Sequence, residues 1–213
     1  MTHTLHRRGD IESLQNDFCL LVTPAIGFNE KEPGLLDKML EIMDIIEEAG
    51  PTNIGSYEVS NIFDGYTIKD IRNNLHRAKV PRIRCAFSSK EKIFDVVRKI
   101  KEKNYGISVV VTGLADVVGE EARKLGLEPH SVNYSCGIWG RIEDLPGEEV
   151  LELLTQCGHG LIASRLIKQQ IEFVKAGKVS PRKAAENIAR PCTCGIVNVD
   201  RIESLLRERY APK

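Results

Sequence analysis

Hydrophobic positions in the first 145 residues alternate between short continuous runs and helix-like repeats. The continuous runs have the length of buried strands and predict strands at 18–23, 82–87 and 106–111. Apolar residues recurring every three or four positions predict helices at 33–49, 67–78 and 114–125, and a further helix that begins at the capping box 88–91 and ends at about 103. Less regular patterns predict two further strands, at 53–61 and 130–140.

The alternation of strands and helices sets the expected fold class. It favours an α/β fold, a layered sheet with covering helices, and the main alternative is an α+β, ferredoxin-like arrangement. No glycine-rich dinucleotide fingerprint and no Walker loop occurs in the sequence, so a nucleotide cofactor is not indicated.

The pattern changes after Leu145-Pro146-Gly147. From there on only helical repeats recur, and they predict helices at 148–156, 161–176, 181–190 and 199–210. We therefore expect an α/β domain with a polar N-terminal arm over 1–145 and a helical, cysteine-bearing segment over 146–213.

Two glycine-bearing loops of the helical segment carry the most distinctive chemistry of the chain. One contains Cys157-Gly158-His159-Gly160 and the other Cys192-Thr193-Cys194-Gly195. Two predicted helices separate the loops, and an antiparallel helix pair would bring them together. Thiolates are ligands for zinc and iron–sulfur clusters, so a shared metal site is expected here.

The ligand count leaves several sites open. Cys157, Cys192 and Cys194 could hold a four-iron cluster ([4Fe-4S]) with one iron free to act as a Lewis acid, as in cluster-dependent dehydratases. Cys136 or His159 could close that site, or zinc could bind the three thiolates with His159. A reactive thiol with His159 as its base and a set of inert buried cysteines are the remaining alternatives.

Other residues are candidates for binding an anionic substrate. Arg7 and Arg8 lie in the polar arm, after His3 and His6, and guanidinium groups pair well with carboxylates and phosphates. The Thr112-Gly113 turn could offer backbone amides to an anion at a helix start. Arg190 precedes Cys192 closely enough to favour a thiolate or to orient a substrate.

Composition and charge narrow the function classes. The chain has 30 basic and 30 acidic residues, and this balance argues against non-specific binding to nucleic acid or to an anionic membrane. The start lacks an apolar secretory region, and no apolar run reaches the length that spans a bilayer. We therefore expect a cytoplasmic protein whose six cysteines stay reduced.

Three functions follow from these observations. The first is an iron–sulfur protein, with lyase or hydratase activity on a small anionic metabolite as the candidate enzymatic role. The second is a non-enzymatic protein for electron transfer to a redox partner, metal handling or zinc-stabilised assembly. The third is a metal-free protein that binds a metabolite at the loops near Gly27 and Thr112-Gly113.

Overall fold

One antiparallel sheet organises the molecule. A computed structural model describes residues 7–212, so His3 and His6 lie outside the described residues. The sheet has five strands in the order β3-β2-β4-β1-β5, and each neighbouring pair is antiparallel. The strands are β1 (Phe18–Thr23), β2 (Asn53–Ser56), β3 (Ser60–Asn61), β4 (Ile83–Phe87) and β5 (Ser108–Thr112).

Nine α-helices accompany the strands within the described residues. They are α1 (Ile11–Leu14), α2 (Leu35–Ala49), α3 (Ile68–Asn74), α4 (Lys90–Lys103), α5 (Ala115–Lys124), α6 (Glu148–Leu154), α7 (Ser164–Lys175), α8 (Pro181–Ala189) and α9 (Val199–Tyr210). Short 3₁₀ helices lie at Leu75–Arg77 and Ile142–Asp144. The predicted mixture of helices and strands is therefore confirmed.

The strand order interleaves two β-α-β units. Strands β1 and β2, joined through α2, are both antiparallel to β4, which lies between them. Strands β4 and β5, joined through α4, are likewise separated by β1. This split arrangement corresponds to the ferredoxin-like alternative, because each crossover skips one strand position.

The two faces of the sheet bury different helices. Phe18, Leu20 and Val22 of β1 point into a core with α2, α3 and α4. Cys19, on the opposite face of the same strand, belongs to a second core with residues of α6, α7, α8 and α9. The helical segment after residue 146 thus covers one face of the sheet, and its status as a separate domain stays a prediction.

One expectation about local structure was wrong. Residues 130–140 form no strand, and almost the whole stretch is exposed, including Trp139 with 82% of its surface accessible. The polar arm contains a helical turn, α1, which Asp10 begins by accepting a hydrogen bond from the backbone of Ser13.

A backbone contact between two glycines joins the helical segment to the sheet. A Cβ atom added to Gly195 would lie 2.2 Å from the backbone nitrogen of Gly55, and the φ angle of Gly195 is +78°. A Cβ added to Gly55 would lie 2.9 Å from the carbonyl carbon of Cys194. Only glycine at both positions allows the second cysteine loop to lie directly on strand β2.

None of the helices between Arg7 and Pro212 combines the length and the apolar character that a bilayer crossing requires.

Replacing Gly195 by Ala should separate these two surfaces. We expect the free energy of unfolding to fall by about 3 kcal/mol or more, as left-handed strain adds to a steric clash in a packed interior. The control is Gly177→Ala, because Gly177 also has a positive φ, +64°, but no atom within 4 Å of an added Cβ. Urea unfolding of both variants measures the difference, and equal losses would contradict a tight contact at Gly195.

Candidate functional site

The two cysteine loops have the same local structure. In the first, which follows α6, the backbone of Cys157 donates to Leu154 and that of Gly160 donates to Cys157. In the second, which follows α8, Cys192 donates to Ala189 and Gly195 donates to Cys192. The final glycines have φ angles of +69° and +78°. Each loop is therefore a Cys-x-His/Cys-Gly turn placed three residues after its helix.

This correspondence gives His159 and Cys194 equivalent positions, and the structure brings them together. The Cys194 sulfur lies 3.7 Å from the Nδ1 of His159 and 3.7 Å from the sulfur of Cys192. Cys157 in turn lies close enough to Cys192 for the two thiols to shift each other's pKa. We call Cys157, Cys192 and Cys194 the thiol cluster; all three are at most 2% exposed, whereas His159 is exposed.

The hydrogen bonds within the thiol cluster separate the thiol pKa values. The interaction with Cys192, together with burial, raises the pKa of Cys157 far above its usual range. The interaction with Cys157 lowers the pKa of Cys192. The bond to Cys194 and burial have the opposite, larger effect, and the pKa of Cys192 rises to about 12. Cys194 accepts from Cys192 and lies near Arg84, so its pKa is lowered despite burial. Cys194 is therefore the first thiol of the cluster to ionise.

The surroundings of His159 favour the neutral form of its imidazole. Partial burial first, and the positive charge of Arg84 second, lower the pKa of His159. Neutral imidazole is the form that binds metals, so the pKa shift suits His159 to ligation as well as to proton exchange with Cys194.

A buried carboxylate positions both loops. Asp17, just before β1, accepts hydrogen bonds from Gln156 (3.2 Å) and Asn198 (3.1 Å), which lie in the first and second loops. Arg7 and Arg201 form ion pairs with the same carboxylate. Burial alone would raise the pKa of Asp17, but the two arginines and the two amides outweigh burial and lower it.

Arg7 also binds the loop backbones directly. Its guanidinium donates to the carbonyl of Gln156 at 3.2 Å and to the carbonyl of Ile196. The guanidinium of Arg7 is therefore occupied by partners within the protein. The carbonyls that it binds lie one residue before Cys157 in the first loop and two residues after Cys194 in the second.

Buried polar atoms without a hydrogen-bond partner surround the same loops. Among the described residues they are Nε of Arg7, both amide atoms of Asn53, Nε and Nη1 of Arg84, and Oγ1 of Thr193. Asn53 lies in β2 two residues before Gly55, and Thr193 separates two of the cysteines. Five of these six atoms can donate a hydrogen bond, so their missing partner is an acceptor or an anion.

The four candidate ligands form a row in space, in which each contacts the next, and do not surround a common centre. Contacts run from Cys157 to Cys192, then to Cys194 and His159. Between Arg7 and Pro212, no group of three or more His, Cys, Asp or Glu side chains already has the arrangement to hold a metal ion. Ligation by this set therefore requires side-chain rotation, which is easiest for the exposed His159.

The other residues predicted for the site lie apart from the thiol cluster or have protein partners. Cys136 is exposed in the irregular stretch after α5. Arg190 is exposed and faces Asp64 at 3.5 Å, while Arg8 pairs with Glu148. Their roles as ligand or anion-binding groups stay predictions.

The Thr112-Gly113 turn lies at the end of β5. Thr112 pairs in register with Cys19 of β1, and a Cβ on Gly113 would meet the Phe18 ring at 2.7 Å. The close approach to Phe18 gives Gly113 a packing role, and anion binding by its backbone stays a prediction.

Sequence reasoning missed Arg84, Tyr57 and Asp17. Arg84 interrupts the apolar strand Ile83–Phe87, and that single charge was the available signal. Tyr57 and Asp17 carried no comparable signal, because their partners are distant in the chain.

Comparisons with protein-family models, with curated proteins and with solved structures found no match. The function must therefore be inferred from the geometry of the site itself.

The Asp17 carboxylate should make the free energy of unfolding depend on pH in the acidic range. Because its pKa is lower in the folded chain, its contribution is complete above the unfolded value of about 3.9 and is lost as the pH falls below it. Asp17→Asn should cost about 3–5 kcal/mol at neutral pH, since Arg7 and Arg201 lose their buried counter-charge, and should flatten the acid dependence. Urea unfolding across this pH range measures both effects.

The control for this prediction is Asp44→Asn, which breaks the exposed ion pair with Arg72 and should change stability little. An Asp17→Asn protein as stable as this control would rule out the positioning role of Asp17.

Thiol accessibility tests the burial of the cluster. All six cysteines are free, and only Cys136 is exposed. A thiol reagent such as dithionitrobenzoate should therefore titrate one thiol quickly in the native protein and none in Cys136→Ser. Unfolding in a chelator should release the other five, and a second fast thiol in the native protein would contradict the burial described here.

Proposed function

We propose that this protein binds one zinc ion through Cys157, Cys192, Cys194 and His159. The observation that carries the proposal is the pair of equivalent turns that bring these side chains into contact. Each turn supplies a cysteine and, two residues later, a second donor. A Cys₃His set is one of the usual ligand combinations of structural zinc sites.

Two of the ligand–ligand distances already have the values expected around a tetrahedral zinc ion, and rotation of the remaining side chains would complete the site. Two thiolates about 2.3 Å from one zinc lie about 3.8 Å apart, and a thiolate and an imidazole nitrogen about 3.6 Å apart. The sulfur–sulfur and sulfur–nitrogen distances here are both 3.7 Å. Thiolates on different irons of a four-iron cluster are farther apart, because the cluster lies between them.

The chemistry around the thiols also suits an anionic metal–thiolate centre. Zinc with three thiolates and a neutral imidazole carries one negative charge. Thr193 lies between two of the cysteines, and the charge of Arg7 acts on Cys192. Each has a buried donor without a partner, and thiolate sulfur accepts hydrogen bonds that a thiol accepts only weakly. Metal binding would thus satisfy donors that are otherwise buried without partners.

The main consequence of such an ion is mechanical. It would join the ends of α6 and α8 above strand β2, at the glycine contact between the loop and the sheet. A closed four-ligand site is structural and leaves no open position for substrate. The non-enzymatic alternative, a zinc-stabilised assembly or metal-handling protein, is therefore the function that we propose first.

An iron–sulfur cluster on the same three cysteines is the second candidate. The exposure of His159 beside three buried cysteines favours it, because a cluster with three protein thiolates has one iron open to solvent or substrate. That iron would supply Lewis-acid chemistry for lyase action on a small anionic metabolite, whereas a closed cluster would serve a redox partner. Either centre needs reduced thiols, for which the cytoplasm is the expected compartment.

Metal analysis of anaerobically purified protein tests the proposal. We expect about one zinc per chain, and its loss in Cys157→Ser, Cys192→Ser and Cys194→Ser, because each removes a thiolate. His159→Gln should weaken zinc binding and leave the three thiolates to hold the ion. Cys85→Ala and Cys136→Ser are the controls and should keep full zinc content.

The other outcomes distinguish the alternatives. Iron and acid-labile sulfide in similar amounts, with a broad visible absorption band, would establish the cluster in place of zinc. Loss of metal in Cys136→Ser would add that residue to the ligands. A folded, metal-free wild-type protein that fails to take up zinc or iron would overturn both candidates.

A further inference from the structure

The guanidinium of Arg84 is a buried charge whose donors are not all satisfied. Arg84 is 6% exposed, and its Nε and Nη1 atoms have no hydrogen-bond partner in the structure. Buried charged donors without acceptors are costly, and they persist where a ligand, an ion or water supplies the acceptor.

The position of Arg84 follows from the register of the sheet. It lies in β4, between Leu21 of β1 and Gly55 of β2. Because Gly55 carries no side chain and is covered by the second cysteine loop, the Arg84 side chain lies beside that loop. Its charge acts on both Cys194 and His159.

An aromatic ring separates this charge from solvent. The guanidinium carbon lies 5.9 Å from the centre of the Tyr57 ring, which is 54% exposed. The Tyr57 ring centre lies 5.7 Å from that of the exposed His159. Tyr57 is in the turn between β2 and β3, so an exposed side chain lies next to the buried guanidinium.

We propose that Arg84 forms the base of a binding site for a small oxyanion, a carboxylate or phosphate group that enters beside Tyr57. The forked guanidinium matches the paired oxygens of either group. The adjacent Tyr57 ring offers a surface for an apolar or planar part of the same ligand. The site lies beside the thiol cluster but does not depend on a metal there.

Thermal unfolding with added anions tests the inference. Sodium phosphate and sodium acetate should each be compared with sodium chloride at matched ionic strength, which separates specific binding from screening. At least one of the two oxyanions should raise the melting temperature of the wild-type protein above the chloride value. The oxyanion that does so identifies the group that the site accepts.

Variants assign the effect to Arg84. Arg84→Met should lower the apparent affinity at least about tenfold, as expected for the loss of charge-assisted hydrogen bonds. Arg84→Lys keeps the positive charge but loses the paired N–H donors of the guanidinium, so it should bind the oxyanion with intermediate affinity. The matched control is Arg82→Met, since Arg82 is two residues away and already pairs with Glu58 at 2.7 Å.

Three results would overturn the inference. The first is a wild-type melting temperature that neither oxyanion raises, and the second is an equal rise in the Arg84 and Arg82 variants. The third is loss of bound metal in Arg84→Met when no oxyanion changes the melting temperature. The last would make Arg84 a counter-charge to the thiolates. Metal content measured on the same samples keeps this test apart from the zinc proposal, because an oxyanion response supports the Arg84 site whether or not the protein holds metal, and only the uptake of zinc or iron decides the metal proposals.

Discussion

The position of the candidate site depends on one buried carboxylate. Asp17 joins four parts of the chain: the arm through Arg7, the first cysteine loop through Gln156, the second through Asn198, and α9 through Arg201. Paired charges of this kind add little net stability over apolar packing, but removing one partner is severe. Their value here is geometric, since hydrogen bonds fix the two loops relative to β1 in a way that apolar contacts alone would not.

Given that arrangement, the thiol cluster follows from the repetition of a turn. A helix end, a cysteine, a second donor and a left-handed glycine occur twice, 35 residues apart. Helices α7 and α8 return the chain to the same side of the sheet, so the two turns meet. Thr193 in the second turn and Arg7 beside both turns have buried donors without a partner, which the proposed zinc–thiolate centre would supply with acceptors.

Local signals made much of the fold predictable. Helix α4 was predicted close to its observed bounds, because the serines at its start and its regular apolar face are both visible in the sequence. The strand predicted at 130–140 was wrong, because an apolar pattern forms a strand only where a neighbouring strand completes its hydrogen bonds. The two loops could be named from their cysteines and glycines. Most of the Asp17 and Arg84 contacts could not, because Asp17 meets Gln156, Asn198 and Arg201 from 139 to 184 positions away in the chain and the place of Arg84 depends on the register of the sheet.

The contacts of Arg7 also have a consequence for the order in which the chain is made. Arg7 and Asp17 leave the ribosome before their partners Gln156, Ile196 and Arg201, which follow about 140 to 190 residues later. The face of the sheet that α6, α7, α8 and α9 cover in the folded protein therefore stays exposed to solvent until the helical segment has been synthesised. Asp17 and Arg84 place charges on or beside this exposed face of the sheet, and these charges lower its tendency to aggregate during synthesis.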